Sequence, residues 1–127
     1  MKHKVKDLSL AKKGKLKIEW AESRMPVLMK IRKEFSRKKP FKGITIGCCL
    51  HVTKETAVLV ETLVALGAKV AWCGCNPLST KDDIAAALAD NNIPIFAWHG
   101  MTKEEFYWAI DKVLEFEPNL TLDDGAD

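Results

Sequence analysis

From Lys42 to Leu122 the chain alternates between short apolar runs of strand character and longer stretches of helical period. Few folds tolerate that alternation, because a strand bounded by helices on both sides cannot pair antiparallel with its sequence neighbour through a tight turn. Gly43-Ile44-Thr45-Ile46-Gly47-Cys48-Cys49 predicts a first strand, and Thr53 to Leu66 a helix that Gly67 is placed to end. Lys69 to Cys73 predicts a second strand, followed by a helix over Thr80 to Ala89 with Ile84 and Leu88 inward. Pro94 to Trp98 reads as a third strand. Thr102-Lys103-Glu104-Glu105 is a capping-box start for a helix bearing Phe106, Ile110, Val113 and Leu114. Leu120-Thr121-Leu122 is a fourth strand.

Four strands joined by three helices require a parallel sheet with right-handed crossovers. The expected class is therefore α/β: a three-layer Rossmann- or flavodoxin-like four-stranded parallel sheet with helices on both faces. Residues 1–40 differ, and form a helical segment ahead of the parallel α/β segment at 41–127. Leu10, Gly14, Ile18, Ala21 and Met25 recur at helical spacing, so 9–24 predicts an amphipathic helix. Gly14 weakens it by about 1 kcal/mol relative to alanine. Pro26 suits the first turn of a second helix carrying Val27, Leu28, Ile31 and Phe35, and Ser36 to Lys39 closes it as a linker.

Charge divides at the same boundary. Residues 1–39 hold 14 Lys/Arg against 4 acidic residues, whereas 40–127 hold 6 against 13. No base-reading motif accompanies the basic segment, so it is expected to pack on acidic protein surface and not on nucleic acid. No apolar run reaches the roughly 20 residues of a membrane helix, and the charged start excludes a secretory signal. Cys48, Cys49, Cys73 and Cys75 lie inside apolar runs, which points to reduced thiols and a cytoplasmic location.

Parallel sheets bind ligands just beyond the carboxyl ends of their strands. His51, Thr53 and Glu55 follow the first strand, Asn76, Ser79 and Asp82 the second, Trp98 and His99 the third, and Asp123, Asp124 and Asp127 the fourth. Polar chemistry thus gathers on one rim. An imidazole there moves protons near neutral pH. The plain alternative is that Thr53 caps a helix, Glu55 complements its dipole and His51 is a loop residue. Ser79 or Thr80 could likewise be no more than a helix cap. Cys48 and Cys49 point to opposite faces and cannot share one ion, and no paired cysteine knuckle is present, so no metal is expected. No G-x-G-x-x-G and no phosphate loop follows any strand, which leaves no dinucleotide site.

With these residues laid out, the chain resembles the N-terminal part of the adenosylhomocysteinase (S-adenosylhomocysteine hydrolase) family. The likeness runs from Val5-Lys6-Asp7-Leu8-Ser9-Leu10-Ala11 through Ile18-Glu19-Trp20-Ala21-Glu22 and Met25-Pro26-Val27-Leu28. It continues over Cys49-Leu50-His51-Val52-Thr53, Glu55-Thr56-Ala57-Val58-Leu59 and Cys75-Asn76-Pro77-Leu78-Ser79-Thr80. It ends with Phe96-Ala97-Trp98, Glu104-Glu105 and Leu122-Asp123-Asp124-Gly125-Ala126-Asp127. The resemblance implies an NAD-dependent hydrolase of one-carbon metabolism that reversibly converts S-adenosylhomocysteine to adenosine and homocysteine. NAD in that family oxidises the ribose 3′-hydroxyl, which acidifies the 4′ hydrogen so that homocysteine is eliminated and water added. Residue by residue, Thr53 and Glu55 look like adenine-side contacts, His51 and Asp124 like proton-handling catalytic groups near the 4′ and 5′ carbons, and Asn76 and Ser79 like site lining.

Family members are several times longer. The resemblance places the NAD-binding segment and the ribose clamp outside this sequence, and implies a homo-oligomer for the full-length form. The expected product is a substrate-binding segment, inactive alone and binding no NAD. The alternatives are a stand-alone nucleoside-binding module and a non-catalytic flavodoxin-like interaction domain. Preference between adenine and hypoxanthine nucleosides is open at this level.

Overall fold

A computed structural model describes residues 2–125. A 3₁₀ turn at Leu8–Leu10 leads into α1 (Ala11–Ser23) and α2 (Pro26–Phe35). The alternating part follows as β1 (Thr45–Cys49), α3 (Lys54–Ala65), β2 (Lys69–Cys73), α4 (Asp82–Asp90), β3 (Ile95–Phe96), α5 (Lys103–Leu114) and β4 (Leu120–Asp123). All pairings are parallel, in the order β3-β2-β1-β4. The expected α/β class, with helices on both faces, holds.

The strand order decides how many helices each face receives. The first two crossovers step the same way across the sheet, so right-handedness puts α3 and α4 on one face. The third crossover reverses direction to reach β4, and α5 falls on the other face. Pleating divides the strand side chains to match. Ile46, Cys48, Val70 and Trp72 join α1, α3 and α4 in one core, while Ala71, Cys73 and Phe96 pack on Ala109 and Val113 of α5. Trp72 is fully buried and donates its indole N–H to the Leu50 carbonyl at 3.2 Å.

Three elements differ from the sequence reading. β3 keeps only two of its five expected residues, Ile95 and Phe96, which are the ones in register with Trp72 and Cys73 at the end of β2; Lys4 bridges its outer edge through Ile95 and Ala97. The fourth helix begins at Asp82, not Thr80, because Thr80 is extended and bridges Val52. Neither Ser79 nor Thr80 caps that helix; Lys81 holds the N-cap position and makes no side-chain cap bond. The first strand starts at Thr45, since Gly43 takes a left-handed turn conformation at φ 83°.

Gly14 has a reason to stand in a helix. A Cβ there would sit 1.9 Å from the Asp83 carbonyl oxygen, so glycine lets α1 cross α4 at backbone contact. Lysines of α1 then meet carboxylates of α4: Lys15 pairs with Asp90 and Lys17 with Asp83. Two lysines of the basic segment thus meet acidic side chains of the same chain. Gly67 ends α3 at φ 104°, as its position implied. Among the described residues, no helix is long and apolar enough to cross a membrane.

Candidate functional site

β1 has β2 on one side and β4 on the other, so the chain leaves β1 away from the strand that later returns beside it. The connections of β1 therefore part on either side at its carboxyl end, the place where open α/β sheets bind their ligands. His51 follows β1 and Asp124 follows β4, and Cys75 follows β2. The donor atoms of these three residues all lie within 4.8 Å of one another.

Short backbone bonds fix each member. The Asp124 N–H donates to the Cys49 carbonyl at 3.0 Å, which carries the β1–β4 ladder one step past the strand. The His51 carbonyl accepts the Thr56 hydroxyl from the first turn of α3. That turn begins with a capping box in which Thr53 and Thr56 bond reciprocally, at 3.4 and 3.0 Å. Thr53 is therefore a helix cap, and the cap itself holds the His51 loop in place.

Cys75 is buried at the centre of the group. Its sulfur lies 3.2 Å from His51 Nδ1, 3.8 Å from Ser79 Oγ and 3.8 Å from Asn76 Nδ2. Burial pushes its thiol up; the Ser79 hydroxyl opposes that and nearby Asp124 adds to it. The thiol is thus held protonated, a neutral hydrogen-bonding neighbour for the imidazole. His, Cys and carboxylate are donors that zinc accepts. A bound metal would itself deprotonate the thiol, so the same three donors suit either proton handling or a metal ion. One strand inward, Cys49 and Cys73 are register partners whose shared hydrogen bond lowers the Cys49 thiol and, with burial, raises Cys73.

The six residues singled out from sequence divide between two places. His51, Asp124, Asn76 and Ser79 gather around Cys75. Thr53 and Glu55 line a separate cleft of about 440 Å³ between the N-terminal turns of α3 and α4 and the flank of α1. Trp20, Lys54, Lys81 and the Lys17–Asp83 pair complete its wall. Glu55 is paired with Lys54 at 3.1 Å; burial raises its carboxyl, and Lys54, its own backbone N–H and the Thr53 hydroxyl together bring it below its ordinary value. Of the other rim residues, Asp82 accepts the His99 N–H at 2.9 Å, and Asp127 lies outside the described residues.

Sequence reasoning missed Cys75, Trp20 and Lys81 as site residues. Cys75 follows a strand end, and the rule that selected His51 would have selected it had it not been set aside as a core thiol. Trp20 had no such signal, because its place in the cleft depends on the α1–α4 crossing.

A family model described as S-adenosyl-L-homocysteine hydrolase matches residues 2–127. The chain is 58% identical over 127 residues to a protein of Sulfolobus acidocaldarius named adenosylhomocysteinase, covering 100% of this chain and 31% of that protein. It is 57% identical over 128 residues to the adenosylhomocysteinase of Saccharolobus solfataricus, with 100% of this chain and 31% of that protein covered. It is 55% identical over 123 residues to a protein of Methanopyrus kandleri named S-inosyl-L-homocysteine hydrolase, covering 97% of this chain and 29% of that protein. The chain thus spans just under a third of the length of these relatives.

Proposed function

The chain belongs to the S-adenosyl-L-homocysteine hydrolase family, and from that premise we propose that it is the N-terminal substrate-binding segment of an NAD-dependent enzyme. That enzyme reversibly cleaves S-adenosyl-L-homocysteine, or its inosyl counterpart, to the nucleoside and L-homocysteine. The observation that carries the reading is the meeting of His51, Cys75 and Asp124 at the carboxyl ends of three neighbouring strands.

The residues present do not fit the dinucleotide. A pyrophosphate needs a glycine turn opening onto a helix N-terminus. After β1 come Leu50, His51, Val52 and Thr53, with no glycine. After β2, Gly74 stands alone, with the Thr80 hydroxyl 3.1 Å from where its Cβ would be. After β3, Gly100 stands alone. The cofactor belongs to protein beyond these 127 residues, and this segment works on the substrate.

Within that division, Thr53 and Glu55 take the base and Asn76 and Ser79 line the approach to the sugar. With Nδ1 turned to Cys75, His51 has its other ring nitrogen for a proton at the ribose, and Asp124 provides a carboxylate beside it. Neither group can remove an ordinary sugar C–H proton. They act only once that hydrogen has been acidified by chemistry supplied elsewhere.

The test is homocysteine thiol release, measured for the chain alone and with the remaining family segment supplied as a second polypeptide with NAD. Alone, the chain is expected to release no thiol, to show no NAD binding by titration calorimetry, and to bind nucleosides more weakly than micromolar. With its complement, release is expected, and His51→Ala should cut it about 100-fold or more. Sustained release by the chain alone would overturn the proposed division. Full activity of the His51→Ala pair would overturn the assignment of His51.

A further inference from the structure

Beyond the ends of β1, β2 and β4, a ring nitrogen of His51, the Cys75 sulfur and an Asp124 carboxylate oxygen all lie within 4.8 Å of one another. His51 Nδ1 is 3.2 Å from the sulfur. In a tetrahedral zinc site, with Zn–S about 2.3 Å and Zn–N about 2.0 Å, those two ligand atoms stand roughly 3.5 Å apart. The pair is thus a few tenths of an ångström from ligating separation. The Asp124 carboxylate has about 1 Å to travel, which a side-chain rotation covers.

The frame around these atoms is already built. The Asp124 N–H is bonded to the Cys49 carbonyl at 3.0 Å, and the His51 carbonyl accepts the Thr56 hydroxyl. Cys75 is buried, which shields its sulfur from bulk water. Ser79 Oγ and Asn76 Nδ2 each lie 3.8 Å from that sulfur, placed as outer partners that steady a thiolate.

We propose that His51, Cys75 and Asp124 form a binding site for a divalent cation of the zinc class, with the fourth position of the tetrahedron open to water. One nitrogen, one sulfur and one oxygen suit zinc, whereas magnesium and calcium take oxygen ligands. The absence of a paired-cysteine knuckle does not bear on this set, which takes one ligand from each of three strand ends. Ligation is not a redox step: Cys75 binds as thiolate and its proton passes to water. An imidazole that gives Nδ1 to a cation carries its proton on Nε2, so it cannot accept another there. The bound cation therefore blocks the proton handling proposed for His51. That consequence rests on the role given to His51; the site itself does not.

The experiment titrates the chelator-treated, reduced chain with zinc against a chromophoric chelator, and with cobalt followed by absorption. One zinc per chain is expected, with a thiolate-to-cobalt charge-transfer band, and magnesium should not compete. Cys75→Ser and His51→Ala should each weaken zinc about 100-fold or more, since losing an outer partner alone costs roughly 10–100-fold. Cys49→Ser should leave affinity unchanged. Amide NMR spectra check the fold, and His51, being exposed, tests the site even where the buried Cys75→Ser fails to fold. Zinc affinity that survives His51→Ala, a cobalt complex without the thiolate band, or loss of binding in Cys49→Ser overturns the site. With the complementing segment and NAD, one equivalent of zinc should suppress nucleoside release. Zinc that binds through these residues and leaves release untouched overturns the role of His51, while the site stands.

Discussion

The two faces of the sheet are built from the same four strands and are unlike in almost every physical respect. One face lies under α1, α3 and α4, with two helices at backbone contact and Trp72 fully buried against them. There burial pushes the Cys48 thiol up to about 12. The other face carries α5 alone. A cavity of about 210 Å³ remains between that helix and β1, walled by Phe106, Tyr107, Ile110 and Leu114, and β4 is exposed along its whole length. Strand order produces the difference, since two crossovers in one direction and one in the other distribute helices unequally. The polar rim lies where the two directions part, between β1 and β4. Firmness comes from the crowded face, and the chemistry sits at the edge where crowding ends.

The largest effect that tests this contrast is truncation on either side. Trp72→Ala removes a fully buried ring and its hydrogen bond and is expected to cost about 4 kcal/mol. Ile110→Ala, at the edge of the existing cavity, should cost only about 1 kcal/mol, because part of its surroundings is already open. Urea unfolding of both variants gives the comparison, and equal losses would mean that the faces are equally packed. Next in size is Gly14→Ala. Helix propensity alone favours alanine by about 1 kcal/mol. The contact with the Asp83 carbonyl forces α1 outward instead, for a net loss of about 2 kcal/mol. A thermal midpoint at or above that of the parent would show that α1 can slide without penalty.

Periodicity made most of the first-order architecture legible. The element order, the parallel sheet, the capping box at Thr102 and Glu105 and the stop at Gly67 all follow from local chemistry that tertiary contacts do not override. What escaped depends on segments distant in sequence. Lys4 beside β3 cannot be read from either segment alone, and neither can the two-residue register with β2 that sets the length of β3. Gly14 carried the signal of a poor helix and turned out to mark a helix crossing. In the site, His51 and Asp124 were legible because strand ends are legible. The turn from Asn76 to Asp82 was not, since caps and ligand contacts draw on the same residue types. Ser79 faces Cys75 in place of capping α4, and Lys81, with no capping chemistry at all, occupies the cap position.

The smallest expected effect concerns the seam between α1 and α4, and its sign can be worked out. Asp83 is buried in the first turn of α4, and the Lys17 ammonium is the partner of its Oδ2. Burial raises the Asp83 carboxyl, but the Lys17 contact and the Ile84 N–H hold it, on balance, below its ordinary value. A carboxyl depressed in the folded state binds its proton more readily when unfolded. Its contribution is therefore fully present above about pH 4, the unfolded value, and is lost as pH falls through the lower folded value. Lys17 is half exposed, so solvent screens the pair, and its contribution near neutrality is about 1 kcal/mol. Asp83→Asn should accordingly melt a few degrees below the parent at pH 7, and the gap should close in acid, once the parent's own Asp83 is protonated. Melting curves of both proteins from pH 7 down to pH 2.5 check this. A gap that stays constant through the acid range would show that the asparagine acts by packing alone. The close crossing at Gly14 would then hold α1 to the crowded face without help from charge.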